Sequence, residues 1–185
     1  MQLIPTSLKD VVVLEPKVHG DGRGFFFEAY NEATFRSLGL PTDFKQDNHS
    51  GSRKGVLRGL HYQVKQPQGK LVRVLKGEIF DVAVDLRRDS AQFGQWFGLA
   101  LNAESRRMLW VPAGFAHGFL VMSEFAEVAY KATELYAPAD ERSILWSDPA
   151  IGIAWPLEGE PTLSDKDRAG VSLGDAETYR DSTLV

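Results

Sequence analysis

Cysteine is missing from all 185 residues. A disulfide framework, a thiolate nucleophile and a cysteine-ligated zinc site are therefore excluded. An excess of positive charge is missing too: 21 Lys and Arg stand against 25 Asp and Glu, for a formal net charge of -4. That balance argues against a general nucleic-acid binder, which needs a broad basic surface, but leaves room for a small basic pocket that holds an anion. The opening MQLIPTSLKD has no basic stretch leading into an apolar run, so no secretory signal is expected. No apolar run approaches the ~18–20 residues that a membrane-spanning helix needs. A cytoplasmic protein without membrane or nucleic-acid partners is the expectation. Low-complexity tracts, long linkers and repeats of fixed period are also absent. A chain of 185 residues is enough for one sizeable core and marginal for two, so a single domain over residues 1–185 is expected.

What the sequence does have is short runs of Val, Leu, Ile and aromatic residues, punctuated from Phe44 to Trp155 by Gly, Pro, Asn and Asp. That texture predicts a mainly β sandwich or barrel. The clearest strand candidates are Val56–Val64, Leu71–Leu75, Glu78–Leu86, Trp96–Leu101, Arg107–Val111, Gly118–Met122 and Glu127–Glu134. Within Glu78–Leu86, Phe80, Val82, Val84 and Leu86 form an apolar face. Ile79, Asp81, Ala83 and Asp85 form a mixed one, as in a half-buried strand. Lys76-Gly77 reads as a tight hairpin turn. Ile4–Leu14 is expected to add an edge strand. Helical signal is sparse. Asn31–Leu38 starts on a capping residue and stops before Gly39, and Ser164–Ala169 starts on a cap followed by acidic residues. Both read as short peripheral helices.

Few side chains suit chemistry. There are four histidines: His19, His49, His61 and His117. Alternation along Arg58–Val64 puts His61 with Gly59 and Gln63, and puts Arg58 with Leu60, Tyr62 and Val64 on the other face. His117 follows a Pro112-Ala113-Gly114 turn, Lys70 opens the next strand, and Tyr130 lies on a late one. Asp165, Lys166 and Asp167 open the last helix. Each also has a plain reading: hydrogen-bonded histidines, a core tyrosine, solvated lysines, and acidic residues favoured at a helix start.

Spacing supplies a resemblance to the cupin superfamily. Its first motif runs Gly, five residues, His-x-His, then a Glu six residues before a Gly; its second is Pro-x-Gly-x-x-His. Here Gly55 precedes His61-Tyr62-Gln63 by five residues, counting back from Gly77 lands on Lys70, and Pro112–His117 fits the second motif. Two histidines survive, while Gln63 and Lys70 replace the other two ligands. An amide and an ammonium make a poor divalent-cation site and a better anion site, so no metal is expected.

A closer resemblance covers nearly the whole chain in order. Its segments are Asp21–Glu28, Gln46–Ser50, Gly55–Gln63, Gln68–Val74, Gly77–Val82, Trp110–Phe119, Tyr130-Lys131, Tyr136–Pro138, Glu141, Trp146–Pro149 and Leu163–Asp167. These resemble the dTDP-4-dehydrorhamnose 3,5-epimerase family. The resemblance implies a cupin-type jelly-roll β-barrel with a few short peripheral helices. It also implies inversion of the two carbons beside the C4 ketone of dTDP-4-dehydro-6-deoxy-D-glucose, through an enolate and without a cofactor. Carried over, His61 is the base, Asp167 its orienting partner, Tyr130 the acid, and Lys70 the group that meets the developing oxyanion. Arg23, Glu28, Gln46, Asn48, Arg58, His117, Glu141 and Lys166 match substrate-contact positions, and Tyr136 the residue that stacks on thymine. A homodimer is implied as well, with Arg23 and Glu28 serving the neighbour's pocket. Epimerisation at one carbon only, and a catalytically silent sugar-nucleotide binder, are the competing readings.

Overall fold

The computed structural model describes residues 1–180. In chain order the strands are β1 (Gln2–Pro5), β2 (Val12–Glu15), β3 (His19–Asp21), β4 (Gly24–Phe26), β5 (Gln46–Arg53), β6 (Leu57–Gln63), β7 (Lys70–Lys76), β8 (Glu78–Asp85), β9 (Trp96–Asn102), β10 (Met108–Val111), β11 (Phe115–Val121), β12 (Phe125–Ala132) and β13 (Glu141–Ser143). Two helices join them, α1 (Glu32–Ser37) and α2 (Asp165–Arg168), capped as expected by the side chains of Asn31 and Ser164.

The strands form a six-stranded sheet in the order β1-β2-β10-β7-β12-β5 and a five-stranded sheet in the order β13-β6-β11-β8-β9, with β3 and β4 as a separate hairpin. Neighbours that are distant in sequence and a chain that crosses between sheets make this the expected jelly roll. Alternation along the strands explains the layers. Val13, Val72, Val74, Leu109 and Val128 of one sheet meet Ile79, Ala83, Phe115, Phe119 and Val121 of the other, forming the inner core. Many of the alternate residues face outward and are covered as well. Leu14, Leu71, Met108 and Trp110 pack under Phe35 of α1. Leu60, Tyr62, Val82, Val84 and Leu86 pack against Ile144, Ile151, Leu173, Ala176 and Tyr179 of the C-terminal segment. Each fully buried aliphatic contributes roughly 1.5–3 kcal/mol.

The structure corrects several expectations. Ile4–Leu14 is not one edge strand. Thr6 Oγ1 donates to Leu8 O and Val11 O in a turn that divides the segment into β1, at the edge, and β2, inside the sheet. Lys76-Gly77 is a sharp turn but makes no hairpin, because β7 and β8 lie in different sheets. Gly77 (φ 74°) turns the chain from one sheet to the other, where a Cβ would stand 2.2 Å from Phe125 O. The mixed face of β8 is not half-buried: Asp81 and Asp85 are both fully buried. Asp85 tolerates this because its oxygens accept from Arg87 and Ser90. Strand β5, with the sequence QDNHSGSR, has no apolar alternation and forms through its eight-residue pairing with β12.

Gly77→Ala should destabilise the protein by about 2–4 kcal/mol, since it joins a left-handed backbone to contact with a carbonyl that cannot move freely. Urea unfolding checks this, and a change under ~0.5 kcal/mol would show that the corner relaxes cheaply.

Candidate active site

At one end of the inner layer the apolar residues give way to polar ones, and a cavity of about 350 Å³ opens there. In β7, Val72 and Val74 belong to the core while Lys70, two residues earlier, lines the cavity. Tyr130 continues the inward series Ala126 and Val128 of β12, and His117 lies between Phe115 and Phe119 of β11. His61 comes from β6, directly opposite His117 in the strand pairing.

Alternation fails in β6 at one place. The pairing with β11 runs His61↔His117 and then Arg58↔Phe119, so three residues of β6 match two of β11. That extra residue reverses the side-chain parity, and Arg58 lines the same cavity as His61 instead of the opposite face. Gly59 (φ 128°) occupies the bulge because any Cβ there would stand 2.5 Å from Gly118 Cα.

Both cavity histidines are backed by buried carboxylates. His61 Nε2 lies 2.6 Å from Asp167 Oδ1, and His117 Nε2 lies 2.7 Å from Asp81 Oδ1. Asp167 also accepts from Ser164 Oγ at 2.6 Å and from the Gly59 N–H at 3.2 Å. Burial works against its charge, but the bonds from His61 and Ser164 hold its carboxyl well below the usual range. The Asp167 carboxylate therefore accepts a hydrogen bond from the Nε2–H of His61, which leaves the lone pair on Nδ1. Burial pushes His61 below its ordinary value of 6.5. The bond to Asp167 opposes that shift, and the Lys166 and Lys70 charges reinforce it. The net direction is down, so the ring is neutral at pH 7.

Lys70 is 8% exposed, and its ammonium lies 6.0 Å from the Tyr130 ring centroid. Burial brings it down to about 8, against the pull of the Glu141 and Asp81 charges. Burial and the Glu141 charge raise the Tyr130 phenol above 10.0, so it keeps its proton. At the mouth, Glu141 accepts from Tyr136 Oη and from Lys166 Nζ, each at 2.8 Å. Gln46, Asn48 and Arg58 complete the wall, and Arg58 is steadied by Ser52 Oγ at 3.0 Å.

The chain thus brings His61, Lys70, Tyr130, Gln46, Asn48, Arg58, His117, Tyr136, Glu141 and Lys166 to one cavity, with Asp167 directly behind His61. It does not bring Arg23 or Glu28 there. The Arg23 side chain is 90% exposed and paired with Asp21, while Glu28 accepts from Asn31. Sequence reasoning did not single out Asp81 or Ser164. Asp81 shares the mixed face of β8 with Asp85 and had no signal to set it apart, whereas Ser164 was detectable as a cap whose partner is Asp167.

The residues at the cupin metal positions do not suit a divalent cation. Both histidines present Nε2 to carboxylates, Lys70 is an ammonium, and the Gln63 Oε1 accepts from the Ala137 N–H.

The family described as dTDP-4-dehydrorhamnose 3,5-epimerase matches residues 5–175. A Pseudomonas aeruginosa protein named dTDP-4-dehydrorhamnose 3,5-epimerase is 56% identical, over 97% of this chain and 99% of its own length. A Legionella pneumophila dTDP-6-deoxy-D-glucose-3,5-epimerase, solved with dTDP-4-keto-L-rhamnose, is 48% identical with a TM-score of 0.93, over 99% of this chain and 96% of its own. A 3'-monoepimerase from Streptomyces bikiniensis, solved with dTDP-quinovose, is 36% identical with a TM-score of 0.86, over 92% and 87%.

NMR titration should place Lys70 at about 8, with its charge lost as pH rises through that value. His61 should titrate below 6.5, gaining charge only as pH falls. In Asp167→Asn the His61 value should drop further, because the partner that favours the imidazolium is gone; a rise would contradict the pairing.

Proposed function

Because this chain belongs to the dTDP-4-dehydrorhamnose 3,5-epimerase family, we propose that His61 and Tyr130 perform its two inversions as base and acid on opposite faces of the sugar. The chain is an isomerase that converts dTDP-4-dehydro-6-deoxy-D-glucose to dTDP-4-dehydro-L-rhamnose, a step of dTDP-L-rhamnose synthesis. Carbons 3 and 5 both flank the C4 ketone, so loss of either proton gives an enolate with its charge on O4. His61 Nδ1 takes the proton, and Asp167 steadies the resulting imidazolium. Tyr130, on the facing sheet, returns a proton to the other side. Lys70 meets O4, where removing one such donor costs ~3–4 kcal/mol of barrier.

The observation that carries this reading is the arrival of His61 and Tyr130 at one cavity from facing sheets, with a buried ammonium beside them. Inversion needs a donor and an acceptor on opposite sides of the reacting carbon, and two sheets supply two sides. Arg58 and Lys166 suit the diphosphate, and Tyr136, half exposed at the mouth, suits the thymine ring.

A homodimer completes the proposal. The β3–β4 hairpin exposes Phe25 and Phe26 at 59% and 69%, and it lies next to Arg23 and Glu28, which do not reach this chain's own cavity. Lodged against a second copy, the hairpin would bury its phenylalanines and carry both residues to the neighbour's site. Residues 1–185 are taken as one functional domain. A cytoplasmic site of action fits a nucleotide-linked substrate, and no helix among the described residues is long and apolar enough to cross a membrane.

Proton NMR of the substrate in deuterated water tests the activity. Loss of both the H3 and H5 signals, with rhamno-configured product, is expected. Exchange at one carbon alone would select the monoepimerase reading, and exchange at neither, with nucleotide bound, the silent binder. Lys70→Met should lower kcat/KM by about two to three orders of magnitude. Light scattering should give twice the 20.6 kDa chain mass. Phe26→Asp should shift that toward the monomer and raise KM; a monomeric wild type of full activity would overturn the shared site.

A further inference from the structure

Gln63 occupies a position where cupins carry a metal ligand, and the mechanism above gives it no task. Its side chain is 3% exposed and fully engaged. Nε2 donates to Gln66 O at 2.7 Å and to Leu135 O at 3.1 Å, and Oε1 accepts from the Ala137 N–H at 2.9 Å. Two carbonyls on one side and an N–H on the other leave a single orientation for the amide. Both Leu135 and Ala137 are neighbours of Tyr136.

Besides Gln63, the loop between β12 and β13 is held at that point by a few side-chain contacts, the Tyr136 hydroxyl bond to Glu141 among them. Leu135 and Tyr136 are 53% and 51% exposed. The Leu135 N–H donates to the Glu134 side chain, and the Tyr136 N–H to Gln46 Oε1 at 2.8 Å. Residues 135–137 are thus fastened largely by side chains, with Gln63 binding on both sides of the tyrosine. The Tyr136 hydroxyl is tied to Glu141 at 2.8 Å, and fixing the backbone at the other end of this half-exposed side chain removes an ordering cost from ligand binding.

We propose that Gln63 is a positioning residue for nucleotide recognition: its amide clamps the 135–137 backbone so that the Tyr136 ring stands ready for the nucleobase. The former metal position then serves the base-binding end of the substrate, while the reacting carbons are handled by other residues. This inference rests on the proposed function, in which Tyr136 stacks on thymine.

The test compares wild type, Gln63→Met, Tyr136→Ala and the double variant. Calorimetry with dTDP alone reads nucleotide binding, and steady-state kinetics on the full substrate separates KM from kcat. Gln63→Met should weaken dTDP binding and raise KM by about tenfold each, while kcat falls less than about threefold. In the Tyr136→Ala background the same substitution should change dTDP affinity less than about twofold, because its effect passes through the missing ring. Unchanged affinity, additive losses, or a loss confined to kcat would overturn the proposal. Should Gln63→Met fail to fold, Gln63→Glu keeps the volume and the Ala137 contact but loses both donors. It should show the same split, and a loss confined to kcat would again overturn the clamp. A wild type that neither binds dTDP nor exchanges substrate protons would instead refute the proposed function.

Discussion

The bond between the buried Asp167 carboxylate and His61 is the interaction on which the site depends. It spans 106 positions of sequence at 2.6 Å and ties the C-terminal helix to a central strand. An uncompensated buried carboxylate would be expensive. Asp167 avoids that cost because it closes the capping box of α2 with Ser164 and also receives the Gly59 N–H from the β6 bulge. One side chain therefore caps a helix, satisfies a bulge and selects the tautomer of His61. The four-residue α2 has little independent stability and exists mainly because this cap anchors it. Loss of Asp167 would disturb the position of His61 as well as its charge.

The same economy extends through the inner layer. Alternation delivers Val, Ile and Phe to the space between the sheets over most of its length, and that apolar body supports a polar end that is unfavourable by itself. Lys70, His117 and Asp81 are all buried there. Among the described residues no carboxylate forms an ion pair with the lysine, and burial brings it down to about 8. A partly desolvated ammonium responds strongly to negative charge formed beside it, as an enolate oxygen requires. The neutral His61 and the protonated Tyr130 follow from the same burial acting on groups of opposite charge type.

Much of this was legible in the residues. Short apolar runs indicated a mainly β fold, Asn31 and Ser164 marked the starts of α1 and α2, and the ordered motifs named many of the polar residues that line the cavity. The illegible parts have specific causes. Gly77 was read as a hairpin turn because a positive-φ glycine signals a reversal but does not say which strands then pair. Strand β5 carries no hydrophobic period, since its placement comes from β12. Arg58 appeared to face away from His61 because strict alternation assumes a regular ladder, and one extra residue in β6 reverses it. Asp81 looked like the polar side of a half-exposed strand, because the covering second sheet is not visible from one strand's pattern. Arg23 and Glu28 fit family positions, yet one chain does not carry them to its own cavity.

The central claim is that base and acid act from opposite sheets on opposite faces of the sugar. The most direct test follows C5 in deuterated water with Tyr130→Phe and His61→Ala, each confirmed folded by circular dichroism. If the claim holds, Tyr130→Phe still exchanges the C5 proton for deuterium, because His61 can remove and return it on one face, but forms no inverted product. His61→Ala should do neither. Inversion at the wild-type rate by Tyr130→Phe, or exchange by His61→Ala, would contradict the account.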